Sequence, residues 1–264
     1  MSFIPFGFYK TPAGGGVWTP ADLPNLYDYW EADSGTTGTT NVSAWAGKEN
    51  GNTFVYGGNS QGAELILAES SFNNQDILRF DRANNETLHF TLDENNKIGT
   101  STQVNFSMYA NPEALASGNW RMFMGFDRRE AGSGVYPTSP EFVMGSNSSA
   151  FKAYEYDGAG ATTTLAQSTT PKQLMTMVLD YANNQGRIYF GTTQDTNSPI
   201  TTNPSNVAPN GTQNFVLFNY NSEKNPPELP GSGDLGGVAI WTGDTDFSTN
   251  LSNLEAYFQA KYGA

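Results

Sequence analysis

The sequence predicts an all-β sandwich or barrel closed by a single helix at the C-terminal end. Three observations predict it. Apolar residues recur at every second position in 103–109 and 120–127, the signature of strands, and about a dozen short strand-like runs separated by polar turns follow the chain. The 264 residues include 27 Asn, 27 Thr, 28 Gly and 14 Pro, types that favour turns and extended backbone over helix. One stretch alone, near residue 255, carries a helical stripe. Hydrophobic residues make up 37% of the chain, enough to fill the core of one large domain.

Residues 1–24 stand apart. Phe3, Ile4, Phe6, Phe8 and Tyr9 crowd together and are broken by Pro5, Pro12, Gly14–Gly16, Pro20 and Pro24, so no regular element fits. An arm with this many aromatics is expected to be pinned, against its own domain or against another subunit. Residues 25–264 read as one β domain. In Gln103–Tyr109, Val104, Phe106 and Met108 face one way and Asn105, Ser107 and Tyr109 the other. In Trp120–Asp127, Trp120, Met122, Met124 and Phe126 alternate with Arg121, Phe123, Gly125 and Asp127. Further strands are expected at 52–56, 65–68, 76–80, 87–92, 141–145, 151–156, 173–181, 187–191, 214–219 and 236–241. Asn183-Asn184-Gln185-Gly186 reads as a hairpin turn, because Asn and Gly tolerate positive φ. Residues 192–212, rich in Thr, Asn and Pro, read as a long surface loop. Leu251, Leu254 and Phe258 then form one helical stripe. Ser252 with Glu255 is a candidate capping box, with Asn250 as the alternative cap. Lys261 and Gly263 suit a helix C-terminus.

Composition removes several functions. There is no cysteine, which excludes disulfides, thiolate nucleophiles and cysteine-ligated metals. One histidine, His89, leaves no His cluster. It is expected on the polar side of its strand, partly exposed. A formal charge of −13 argues against nucleic acid and against anionic membrane surfaces. No apolar run suits membrane insertion, and Met1–Lys10 has no basic segment of a secretory signal.

Residues at both ends of the β domain carry a resemblance. Trp30-Glu31-Ala32-Asp33-Ser34-Gly35 is followed by Val42-Ser43-Ala44-Trp45. Leu78-Arg79-Phe80-Asp81 precedes Thr87-Leu88, and Val178–Tyr181 precedes Arg187–Phe190. Gly237-Val238-Ala239-Ile240-Trp241 is followed by Leu254-Glu255-Ala256-Tyr257 and Lys261-Tyr262-Gly263. In this order the segments resemble the concanavalin A-like, laminin-G-like jelly roll of bacterial surface proteins and phage particles. The resemblance implies a two-sheet antiparallel sandwich. It also makes the arm look like the docking segment of a virion protein, through Phe3, Ile4, Phe6, Phe8, Tyr9 and Trp18.

Catalytic motifs are present only in fragments. Gly58-Asn59-Ser60-Gln61-Gly62 matches a nucleophile elbow but lacks the strand–turn–helix setting and the downstream triad. Gly231-Ser232-Gly233-Asp234-Leu235-Gly236 matches a dinucleotide fingerprint in the reverse setting, with Asp234 set to repel a pyrophosphate, and reads as a loop. The hydrolases among the jelly-roll relatives carry E-x-D-x-x-E. Glu31-Ala32-Asp33 and Glu155-Tyr156-Asp157 both begin that pattern and both lack its final Glu. No cofactor is expected. Asp127, Glu130, Asp180, Asp244 and Asp246 could offer oxygens to calcium, but no spaced Asp/Asn loop gathers them.

Sugars are held by an aromatic platform with planar hydrogen-bonding partners. Arg121, Phe123 and Asp127, with Lys152, Tyr154 and Tyr156, are the candidate contacts on a polar sheet face, unless those aromatics merely pack the sandwich. The expected function is a non-enzymatic phage virion protein of capsid or tail, homo-oligomeric, docked to other virion proteins by its arm, with the jelly roll for subunit or host-glycan contact. The alternatives are a free extracellular or cell-surface lectin module and a polysaccharide hydrolase.

Overall fold

The computed structural model describes residues 17–56, 61–92, 103–113, 121–126, 141–147, 150–156, 165–168, 173–180, 182–183, 185–195, 200–201, 213–218, 231–243 and 245–263, without side chains at 90–92, 126, 141–143, 146–147, 150–156, 165–168, 200–201 and 213–214. Among these, the strands are β1 (Leu26–Glu31), β2 (Thr36–Thr37), β3 (Ala44–Ala46), β4 (Thr53–Val55), β5 (Glu64–Glu69), β6 (Gln75–Phe80), β7 (Leu88–Leu92), β8 (Gln103–Pro112), β9 (Arg121–Phe126), β10 (Glu141–Asn147), β11 (Ala150–Tyr156), β12 (Leu165–Ser168), β13 (Gln173–Asp180), β14 (Gln185–Phe190), β15 (Thr193–Gln194), β16 (Ile200–Thr201), β17 (Gln213–Leu217) and β18 (Gly233–Thr242). Helix α1 is Phe247–Tyr262.

The strands form two antiparallel sheets. The helix-side sheet runs β15-β14-β13-β8-β18-β6-β5, with β1 also on β18 and β16 on β14. The far sheet runs β12-β11-β10-β9-β17-β7-β4-β3-β2. The expected two-sheet sandwich is thus the architecture. In β8, Val104, Phe106 and Met108 point between the sheets, where Phe106 stacks on Phe215 at 4.8 Å. Trp30, Trp45 and Phe54 fill the same core, Trp30 and Phe54 edge to face at 4.8 Å. The opposite parity of β8 is buried too, because α1 lies across it. Tyr109, Leu174, Val178, Ala239 and Trp241 meet Leu251, Leu254, Phe258 and Tyr262 in a second core. Polar groups under the helix are satisfied: Ser107 and Thr176 share a hydrogen bond at 2.6 Å, and Asn105 donates to the Trp241 carbonyl at 3.3 Å.

Two glycines let the helix approach. The β18 register slips between Leu235 and Gly237, a β-bulge. There a side chain on Gly236 would meet the Tyr262 ring at 2.9 Å. One on Gly237 would meet Phe258 at 2.6 Å and the Trp30 carbonyl at 2.9 Å. The helix starts a turn earlier than its capping residues suggested. Asp246 is the N-cap position, and Ser252 lies inside the helix with its hydroxyl on the Ser248 carbonyl. Packing sets the start: Phe247 stacks on Trp241 and tilts against Tyr189. Gly263, at φ 80°, ends it with its N–H on the Gln259 carbonyl.

The Asp180–Gln185 pair closes the expected hairpin, Asp180 accepting from the Asn183 backbone and side chain. In the stretch read as a loop, β15 and β16 each add two residues to β14.

Gly237→Ala is expected to cost about 2 kcal/mol, since the new methyl meets backbone as well as a ring. Gly51→Ala, at φ 70° with nothing within 4 Å of a Cβ, should cost only about 1 kcal/mol of left-handed strain. Urea unfolding midpoints of the two variants check the order.

Candidate functional site

The two halves of the sequence signature meet in space. Glu31 ends β1 and is 1% exposed. Its Oε1 accepts from the Tyr257 hydroxyl at 2.7 Å and lies 2.8 Å from the Lys261 ammonium. Its Oε2 pairs with Lys48. Lys261 also reaches Asp33 at 2.8 Å, and Lys48 lies 3.8 Å from the other Asp33 oxygen. Two carboxylates and two ammoniums therefore close a neutral clasp between β1, the turn after β3 and the last turn of α1. The tryptophans of the opening motif hold the same corner: the Trp45 indole donates to the Glu31 carbonyl at 3.0 Å and the Trp30 indole to that of Asn52 at 2.9 Å. Asp28, fully buried, gathers the turn by accepting from the backbone N–H of Glu49 and of Asn52. In the closing motif, Tyr262 donates to the Gly236 carbonyl at 2.6 Å, and Tyr109 to that of Gly263.

The clasp shows in its electrostatics. Burial favours a protonated Asp33, but the Lys261 hydrogen bond and the two ammonium charges hold the carboxyl below its ordinary 3.8. Burial also opposes charge on Lys48, yet Glu31 and Asp33 hold it above its ordinary 10.5. The Tyr257 hydroxyl is pushed up, by burial first and then by its carboxylate acceptor. The pair that opens the hydrolase-like motif thus sits between lysines, and Glu31 is closed to solvent.

The other motif glycines have packing reasons. A Cβ on Gly62 would run into the Val42 carbonyl; residues 58–60 of that motif lie outside the described residues. A Cβ on Gly231 would meet the Met122 carbonyl at 2.6 Å, and Gly233 opens β18 instead of lying in a loop. Asp234 pairs with Arg79 at 2.7 Å. Among the described residues, no three His, Asp or Glu side chains gather as metal ligands.

The candidate contact residues divide. In the β9–β10 register Met144 pairs with Met124 but Gly145 with Met122, so Phe123 is the extra residue of a bulge. The bulge turns Phe123 into the core, 5.7 Å from Phe218, and away from the polar face expected for it. It also separates Arg121 from the others. Arg121 shares a row with Ser146 and Phe151, whereas Lys152 pairs with Gly145 and Tyr154 with Val143. Burial and the nearby charge of Arg82 hold the Arg121 guanidinium below its ordinary range. Lys152, Tyr154 and Tyr156 alternate with 151, 153 and 155 along β11, and their side chains lie outside the described set. Asp127 lies outside the described residues.

His89 is 7% exposed, not partly exposed as its polar parity suggested. Its row runs Val55, His89, Val216, Gly125, Val143 and Tyr154 across the far sheet, opposite in parity to core residues Leu88, Phe215 and Leu217. Phe3, Ile4, Phe6, Phe8 and Tyr9 lie outside the described residues. Trp18 does not project as a docking residue. It is 6% exposed and meets Tyr257 edge-on at 6.4 Å, with Leu23 in the same core. The bicyclic ring completes the apolar wall beside the clasp, which the stripe of α1 alone does not close.

Sequence reading missed the clasp because its four charges come from three separate segments; only the paired motifs at the two ends signalled it. Glu31→Gln and Lys261→Met are each expected to cost about 3 kcal/mol. The double variant should cost at least about 1 kcal/mol less than their sum, since both remove one interaction. A lowered carboxyl adds stability above its unfolded value and loses it as pH falls through the folded one. A raised ammonium adds stability below its unfolded value and loses it as pH rises through the folded one. The contributions of Asp33 and Lys48 are therefore both complete from about pH 4 to about pH 10. Below about pH 4, stability should fall less steeply in Lys261→Met, where Asp33 has already lost its main partner. Urea unfolding across pH checks each point.

No protein-family model matches the chain, and no characterised protein matches it by sequence. Solved structures share the fold. The binding domain of Paraclostridial Mosquitocidal Protein 1 superposes with a TM-score of 0.57 at 10% identity, over 89% of this chain and 52% of that one. The binding domain of botulinum neurotoxin DC in complex with SialylT gives 0.58 at 9% identity, over 91% and 53%. A Trypanosoma rangeli sialidase in complex with sialic acid gives 0.59 at 13% identity, over 93% and 35%. The chain spans about half the length of the toxin binding domains and about a third of the sialidase. At these identities the likeness establishes the two-layer β fold.

Proposed function

We propose that this chain is a non-enzymatic attachment module: a jelly roll that recognises surface glycan and is carried on a virion by its N-terminal leader. One observation carries the reading. Glu31 and Asp33, the carboxylate pair nearest to a hydrolase motif, are committed to Lys48, Lys261 and Tyr257. A retaining or inverting glycosidase needs one carboxyl free to carry a proton and a second free to attack or to activate water.

The layering supports a site on the far sheet. Helix α1 and Trp18–Leu23 cover the helix-side sheet, and on the far sheet the outer positions Met122, Gly125 and Val216 are buried, so the ligand is placed along β11, towards the β12 end. Tyr154 and Tyr156 occupy alternate positions there, suited to stack on sugar C–H faces. Two structures of similar fold hold SialylT and sialic acid, which makes sialylated glycan the first ligand to try. The leader reading rests on its aromatics, its Gly14–Gly16 triplet and the buried Trp18 that follows. Such a segment can engage a particle while its root stays fixed to the jelly roll.

On a glycan array the full chain should bind at least one glycan. Tyr154→Ala and Tyr156→Ala should each weaken that binding tenfold or more without moving the melting temperature. Release of sugar from a bound glycan would put a hydrolase in place of the attachment module, and an empty array would remove the glycan. A chain without residues 1–16 should still bind glycan but fail to join particles.

A further inference from the structure

The four ends of the two sheets are treated differently. A free edge is a template for another strand, and proteins blunt it with charge, bulges, covering loops or shortness. β5 has three such devices. Glu64 and Glu69 flank it, its register breaks between Ile66 and Glu69 with Ala68 at φ 51°, and its Leu65 N–H is taken by the Thr39 carbonyl at 2.6 Å. β2, β15 and β16 are two residues each. β12 is longer than these at four residues, and among the described residues it has no charge, no bulge and no covering segment. It is Leu165-Ala166-Gln167-Ser168 and pairs through all four residues with β11, its only partner among the described residues. The sequence around it is uncharged from Gly158 to Pro171, with Thr162–Thr164, Thr169 and Thr170 favouring extended backbone.

We propose that β12 is the self-association edge, and that a second copy of this chain adds its own β12 antiparallel to it, joining the two far sheets into one. Charge argues for this occupant. Two copies at −13 each repel, and this edge brings no charged residue opposite its own copy. Self-pairing of β5 would instead bring Glu64 and Glu69 towards theirs. Geometry makes the contact isologous. In an antiparallel ladder, directly opposed residues are both hydrogen-bonded or both not. A two-fold axis must therefore place one residue opposite itself, Ala166 or Gln167 at the centre of so short a strand. The two β11 strands would then lie three strand spacings apart, about 14 Å. Any ligand site along β11 becomes bivalent, a gain in avidity without new contacts. The pairing goes beyond the glycan reading and is measured without a ligand, so either can fail alone.

The absence of cysteine makes the test direct. Ala166→Cys and Gln167→Cys are prepared in the full chain, with Leu67→Cys on the β5 edge, 65% exposed, as comparison. On mild oxidation one of the two β12 variants should cross-link to a dimer and Leu67→Cys should not. In sedimentation velocity the unmodified chain should dimerise with rising concentration, and Gln167→Lys should weaken the dimer tenfold or more at unchanged melting temperature. Ala166→Pro gives the same readout if the lysine variant misfolds. A chain monomeric at every concentration overturns the proposal. So does a dimer captured at Leu67 but not at β12, or one indifferent to Gln167→Lys and Ala166→Pro.

Discussion

The buried carboxylate of Glu31 is the constraint from which the rest of this structure follows. A charge that deep is tolerated only when paired and hydrogen-bonded. Glu31 meets that demand with two ammoniums and a tyrosine hydroxyl drawn from three places in the chain. The net energy of such a group is modest beside an apolar one of equal volume, but its demands are directional. A slip of β1 by one residue would carry Glu31 to the other side of the sheet. The clasp thereby fixes the register of β1, the course of the turn that covers the outer edge of β1, and the depth at which α1 docks. The Lys48 N–H on the Tyr29 carbonyl and the Asn50 side chain on the Tyr27 carbonyl fill that edge as a neighbouring strand would.

Two bulges then distribute the faces. The one in β18 sets glycines under Tyr262 and Phe258, so the helix seats closely and seals the helix-side sheet. The one in β9 moves a phenylalanine from the outer face to the core and needs a partner without a side chain, because a Cβ on Gly145 would run into the Arg121 carbonyl. One sheet is thereby sealed by the helix and by Trp18–Leu23. Glu31 and Asp33 are engaged in holding β1, the turn after β3 and α1 together.

Much of the fold was legible because strand alternation reports burial directly. The inward parity of β8 read correctly from its period, the strands at β13 and β18 were placed, and the helical stripe placed Leu251, Leu254 and Phe258. What escaped shares one cause, since the deciding partner lay far along the chain. Phe123 follows perfect alternation in sequence and is displaced by a bulge that only β10 reveals. His89 sits on a polar parity, yet its row includes the fully buried Val216. Trp18 looks like part of an aromatic arm and belongs to the helix core, because Tyr257 lies 239 positions later and beside it in space. The helix start was misplaced since the anchor is the Phe247 ring on Trp241 and not a capping side chain. The glycan candidates were legible only as residue types; the register separates Arg121 from Lys152 and Tyr154, and no local pattern carries that.

If one carboxylate fastens three segments, they must open together. Amide hydrogen exchange on the native chain reads this directly. β1, the turn at 48–52 and the last two turns of α1 should share one opening free energy, and Glu31→Gln should lower all three by the same amount. A helix that exchanges on its own, with the turn at 48–52 unmoved by Glu31→Gln, would contradict the account.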